Sequence, residues 1–133
     1  MEAEAFAKVN LSLRVRPPDR TGLHPLRSVM QSIDWSDLLS LEEAADDAFT
    51  VRGLTVPDDE SNLAWRALEA VRAASARREP AALTLDKRIP VSAGLGGGSA
   101  DAAAVLGMAA ARYGLAPERR DALAPGLGAD VPY

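Results

Sequence analysis

The stretch KRIPVSAGLGGGSADAAA, residues 87–104, constrains the fold of this chain more than any other. Gly94, Gly96, Gly97 and Gly98 carry no Cβ, so their backbone can approach a ligand closely and turn several N–H groups towards one anion. Ser99 opens an alanine-rich run, residues 100–111, in which only Asp101, Val105 and Gly107 depart from strong helix propensity. The pattern therefore predicts a glycine loop running straight into a helix, with Ser99 at the junction. Unsatisfied N–H groups and the positive end of the helix dipole make such a junction a phosphate site. It is not a Walker loop, because Gly98 is followed by Ser99 and Ala100 where that loop needs Lys-Ser/Thr. Nor is it a dinucleotide fingerprint, since Ser99 or Asp101 stands where the third glycine or alanine belongs.

The elements around the loop follow from hydrophobic period and punctuation. Leu11, Leu13 and Val15 alternate with Ser12, Arg14 and Arg16, which predicts a strand with one buried face, and Lys8 and Asn10 lie on the opposite parity. Pro17, Asp19 and Gly22 mark a turn, followed by a second strand over residues 27–35. Residues 38–41 and 49–51 read as a hairpin across the acidic run 42–47, itself a solvated loop. A helix is signalled from Asn62 to about residue 77, by polar residues before it and by Leu63, Ala64, Ala67, Leu68 and Val71 on one face. Asn62 suits an N-cap there. Leu83 and Leu85 begin a strand that delivers Lys87 to the mouth of the loop, as a ligand contact or as a strand-end charge. Gly114 suits a helix C′ position, and Pro117 starts a short helix through Leu123. Residues 125–129 then form a loop presenting Asp130, which by itself is better read as a turn residue than as a functional one. This element order predicts an α+β fold: a two-layer sandwich of a mostly antiparallel sheet with helices on one face.

At 133 residues the chain is expected to form one domain, residues 1–133. A net charge of −4 argues against a nucleic-acid partner, which needs a basic face, but not against one nucleotide held by local N–H groups. With no cysteine and a single histidine, His24, thiolate and His-rich metal sites are excluded. No segment is long and apolar enough to cross a membrane, and the first residues are acidic where a secretory leader would be basic, so a cytoplasmic location and no membrane partner are expected.

Three motifs occur in order: AFAKVNLSL at residues 5–13, PVSAGLGGGSADAA at residues 90–103 and LGADVPY at residues 127–133. Together they resemble the GHMP kinases, the ATP-dependent small-molecule kinases that include galactokinase, homoserine kinase and mevalonate kinase. The triple glycine is most similar to the branch that phosphorylates a cytidine-diphosphate-linked polyol in isoprenoid-precursor synthesis. The resemblance implies the N-terminal, ATP-binding domain of such a kinase. It further implies a fold like the second domain of ribosomal protein S5, with a left-handed crossover, and a C-terminal domain that is absent from this chain.

By the same resemblance, Lys8 and Asp130 are catalytic: Asp130 takes the acceptor's hydroxyl proton or orients the hydroxyl, and Lys8 balances its charge and steadies the acceptor oxygen. Gly94, Leu95, Gly96, Gly97, Gly98 and Ser99 hold the ATP phosphates, with Asn62 and Lys87 also on the nucleotide. Ser99 is further expected on a magnesium ion carried in with ATP. Asn10 and His24 line the acceptor site. Leu23 stands where relatives have a tyrosine that stacks on cytosine, and Ala100 where many have a second serine. Leu23 keeps open a kinase for another small alcohol, and the absent domain keeps open a nucleotide-binding module without turnover, dimerising through the surface that domain would cover. If Gly97 lies in the phosphate cradle, Gly97→Val should fill the space meant for phosphate without unfolding the domain.

Overall fold

The computed structural model describes residues 1–15, 17, 20–22 and 26–133. The order is β1 (Glu2–Val15), β2 (Leu26–Glu43), β3 (Ala48–Gly53), α1 (Leu63–Ser75), β4 (Ala81–Lys87), α2 (Gly97–Tyr113) and α3 (Pro117–Leu127). The strands form one sheet ordered β1-β2-β4-β3, antiparallel except for the parallel β3/β4 pair. This is the expected α+β sandwich.

The core lies between one sheet face and the helices. Leu39 and Leu41 of β2 pair with Leu85 and Leu83 of β4, and all four are buried against Leu68 and Val71 of α1 and Val105 and Ala109 of α2. Each fully buried leucine contributes about 1.5–3 kcal/mol. Alanine does the rest: Ala64, Ala67, Ala102 and Ala109 are fully buried, so the helix backbones approach closely, as the low aromatic content predicts. The open face carries Glu2, Glu4, Ser40, Arg52, Thr84 and Asp86 around a shallow depression.

Two helix caps fall where the sequence puts them. Asn62 is the N-cap of α1, its Oδ1 accepting from Ala64 N at 2.9 Å. Gly114 ends α2 in the left-handed region at φ 70° and donates to Ala110 O.

Five expectations need correction. The strands expected over 27–35 and 38–41 are a single strand, β2, because nothing between them breaks extended backbone. The hairpin across the acidic run does not form: β4 inserts between β2 and β3, and β3 reaches β4 in parallel through α1. The run is not wholly solvated either, since Asp47 pairs with buried Arg72 at 2.7 Å and accepts from Ala81 N at 3.0 Å. Leu11 and Val15 are not buried; they are 65% and 61% exposed. Among the described residues, β2 before Leu38 is paired in the sheet with β1 and not with β4, so this part of the two strands is a two-stranded ribbon. Finally, α3 runs through Pro125 to Leu127, four residues beyond the expected end. Pro125 removes a single helical donor, and the buried Ala124 keeps that turn packed.

Candidate active site

The register of β1 breaks between Phe6 and Lys8, where β2 passes from Ser36 to Ser32. Such an irregularity re-aims the side chains beyond it. Ala5 and Ala7 face the core, so strict alternation would put Lys8 on the open face beside Phe6. Instead Lys8 follows Ala7 inward and is only 8% exposed. Asn10 shares its parity and is exposed, with Oδ1 accepting from Ser28 Oγ at 3.0 Å. His24 and Leu23 lie outside the described residues.

Lys8 meets the glycine loop at two points. Its backbone N–H donates to Leu95 O at 2.9 Å, and its side chain passes so close to Gly96 that a Cβ there would lie 2.9 Å from Lys8 Cε. Gly96 is also in the left-handed region at φ 70°, as the N-cap of α2, so both backbone and space require glycine. Gly94, at φ 73°, turns the exposed loop tip. The helix begins at Gly97, two residues before the expected Ser99, which places Gly97, Gly98 and Ser99 in the first turn. Their N–H groups have no carbonyl one turn back inside the helix, and that turn carries no acidic residue. A Cβ at Gly98 would come 3.9 Å from Leu63 Cδ1, so the start of α1, with Asn62, lies beside the start of α2.

The fourth wall comes from the end of the chain. A tight turn, with Val131 N donating to Gly128 O at 3.2 Å and Val131 buried, presents Asp130. Asp130 Oδ2 lies 3.4 Å from Lys8 Nζ, with the lysine nearly buried and the carboxylate side chain 39% exposed. Gly128 brings this turn against the helix start, where a Cβ would be 3.9 Å from Ser99 Oγ. Lys8, Gly96, Ser99 and Asp130 thus line one cavity of about 220 Å³, floored by Ala100, Ala103 and Ala104. Residues about 120 positions apart in the chain meet there only in the fold.

Lys87 is elsewhere. It is 2% exposed, beneath the loop and not at its mouth, and is neither a nucleotide-facing cation nor a solvated strand-end charge. Its ammonium donates to Asp37 Oδ2 at 2.5 Å and Asp101 Oδ2 at 2.8 Å. Asp37 Oδ1 also accepts from Arg88 N and Ile89 N. Burial alone would raise the Asp37 carboxyl, but the bonds from Lys87 and the two N–H groups hold it below the ordinary carboxylate range. Asp101 shares the lysine and has no such amides; burial pushes it up to about 7. Sequence reasoning missed both aspartates. The signals were present: Asp37 has the parity of buried Leu39 and Leu41, and Asp101 stands four residues before buried Val105 on the inner stripe of α2. Gly97 has a related correction. A Cβ there would lie 2.9 Å from both Lys87 Nζ and Ile89 Cγ2, so it points inward and not into space for phosphate.

Among the described residues no group of carboxylates and histidine is placed to hold a metal by itself, and no helix is long and apolar enough to cross a membrane.

Residues 62–131 match the family model for the GHMP kinases N terminal domain. The chain is 40% identical over 135 residues to the 4-diphosphocytidyl-2-C-methyl-D-erythritol kinase of Chlorobium limicola, covering all of this chain and 47% of that protein. It is 44% identical to the protein of the same name from Rhodococcus jostii, over 97% of this chain and 43% of that one. The chain therefore spans about half the length of the curated relatives it matches. A crystal structure of 4-(cytidine 5'-diphospho)-2C-methyl-D-erythritol kinase superposes with a TM-score of 0.84 at 40% identity, over 99% of this chain and 47% of that one. Mevalonate kinase from Methanococcus jannaschii shares the fold, with a TM-score of 0.68 at 15% identity. With the family model covering more than half of its residues and its glycine loop, the chain belongs to the GHMP kinases.

Proposed function

We propose that this chain is the nucleotide-binding part of an ATP-dependent kinase acting on the 2-hydroxyl of 4-diphosphocytidyl-2-C-methyl-D-erythritol, a step in non-mevalonate isoprenoid synthesis. The observation that carries this reading is the Lys8–Asp130 pair at 3.4 Å in the same cavity as the start of α2. Full-length relatives of that name at 40% and 44% identity supply the substrate.

The cradle fits a polyphosphate: Gly96 leaves no side chain between backbone and ligand, the first-turn amides of α2 have no internal acceptor, and the first turn itself carries no acidic side chain. The N–H groups of Gly97, Gly98 and Ser99 would hold phosphate oxygens, with Gly94 and Leu95 shaping the approach and Asn62 on the adjoining side. Bound ATP supplies the phosphoryl group that is transferred. Ser99 Oγ would contact a magnesium ion arriving with the nucleotide.

Phosphoryl transfer asks the protein mainly for positioning and charge balance. Asp130 would accept a hydrogen bond from the acceptor hydroxyl, orienting its oxygen and receiving its proton at Oδ1 or Oδ2. Lys8 Nζ would donate to that oxygen while holding Asp130 in place. Asn10, two residues along and on the same face, together with His24, would contact the acceptor. The alanine floor excludes water from beneath the pair.

The test is phosphate transfer by the intact protein from ATP to 4-diphosphocytidyl-2-C-methyl-D-erythritol, mevalonate and homoserine, with the product located by phosphorus NMR. Transfer to the cytidyl substrate, at a kcat/KM well above the others, is expected. Preference for another alcohol would replace the substrate while keeping the family.

A further inference from the structure

The glycine loop has little packing of its own. Residues 90–94 are all exposed, and Ser92, Gly94 and Gly96 all have positive φ. It is fastened at three places: buried Ile89 at its start, Leu95 O bonded to Lys8 N, and buried Gly97 at its end. Two of the three converge on Lys87. Asp37 Oδ1 takes the N–H groups of Arg88 and Ile89 where the loop departs, and its other oxygen takes Lys87 Nζ. The same ammonium reaches Asp101 on the second turn of α2, where the loop has returned. Lys87 Nζ also lies directly beneath Gly97.

We propose that Asp37, Lys87 and Asp101 are positioning residues of the phosphate site: a buried brace that fixes where the loop leaves β4 and where α2 begins, and so presets the first-turn amides. None of the three touches the cavity holding Lys8 and Asp130. A core that needed only stability would be served as well by apolar side chains, because desolvating three charges offsets much of their attraction. Asp101 Oδ1 is left buried without a hydrogen-bond partner. What the brace supplies, and leucines would not, is directional linkage of both loop ends, through Asp37 and Asp101, to one ammonium group.

The inference rests on the nucleotide reading above, and its test separates the two. In the intact protein, Asp101→Ala removes the link to α2, whereas Asp101→Asn keeps an acceptor for Lys87. Asp37→Asn also cuts the brace, since an amide N–H₂ turned to Lys87 is donor against donor. Two readouts are taken on variants whose circular dichroism matches wild type. Hydrogen exchange of residues 88–99 without nucleotide should quicken in Asp101→Ala and stay near wild type in Asp101→Asn, with residues 81–87 unchanged in both. Affinity for a non-hydrolysable ATP analogue should fall by about tenfold or more in Asp101→Ala and recover in Asp101→Asn, as expected when amides are displaced by a fraction of an ångström. The KM for the acceptor should not move. If Asp101→Ala does not fold, Asp37→Asn carries the same expectations. A folded variant with the brace cut but wild-type affinity and loop exchange overturns the positioning role. A wild-type protein that binds no nucleotide, yet shows the exchange change, keeps the brace and overturns the proposed function instead.

Discussion

Asp130 and Asp101 are both carboxylates close to a lysine, yet their settings give them different work. Asp130 is partly open and pairs with a lysine that is otherwise enclosed, so its charge is available to a hydroxyl entering the cavity. Asp130→Asn in the intact protein should lower kcat by about 10²–10⁴ with ATP-analogue affinity nearly unchanged, read from steady-state rates and calorimetry. Near wild-type turnover would show that the proton goes elsewhere. Asp101 is buried and raised to about 7 from the ordinary 3.8. A raised carboxylate binds its proton more tightly in the folded state, so its contribution to stability is complete below about pH 4 and is lost as pH rises to about 7. Asp37 and Asp47, both lowered, act with the opposite sign and only as pH falls below the ordinary carboxylate range. Between pH 5 and 8 the melting temperature of wild type should therefore drop, and Asp101→Asn should flatten that drop. Parallel curves for the two proteins would show that Asp101 does not titrate there.

At the level of elements, the junction between loop and helix contains glycines of two kinds. Gly97 faces Ile89 and Lys87, so Gly97→Val should destabilise the fold itself, by about 1–3 kcal/mol as an overpacked site. The expectation that this change would spare the fold was built on a loop without an inside. Gly98 is exposed and meets only Leu63, so Gly98→Val should melt close to wild type. If phosphate binds at the first-turn amides, that variant should nevertheless lose nucleotide affinity. Melting curves of the pair decide the first point: an unchanged Gly97→Val would mean the helix start shifts freely. The irregularity near Ala7 is the other decisive element, since it turns Lys8 from the open face to the site.

For the molecule as a whole, a cavity of about 220 Å³ is small for its proposed ligands. Pockets for drug-sized ligands run to about 300–1,000 Å³, so a nucleotide and its acceptor need further walls. We expect residues 1–133 expressed alone to fold but to turn over at less than about 1% of the rate of the intact protein, because positioning and water exclusion need the closed site. The same piece leaves Leu11, Val15, Val29 and Trp35 exposed along the β1/β2 ribbon. Light scattering should detect its self-association, reduced by Leu11→Ser with Val29→Ser; a monodisperse monomer at high concentration would oppose this.

What the sequence determined by itself was mostly local. Asn62 and Gly114 cap their helices because capping needs only neighbouring atoms, and the glycine run feeds α2 because backbone freedom and helix propensity change over a few residues. The three motifs pointed to the right family, and the Lys8 and Asp130 side chains they single out lie 3.4 Å apart. Other features were decided only by tertiary packing. Insertion of β4 between β2 and β3 depends on which faces can be buried together, and no spacing within 42–51 encodes it. The burial of Lys87 likewise depends on Asp37 and Asp101 arriving from a strand and a helix distant in sequence. A charge reads as solvated until the partners that allow its burial are in place.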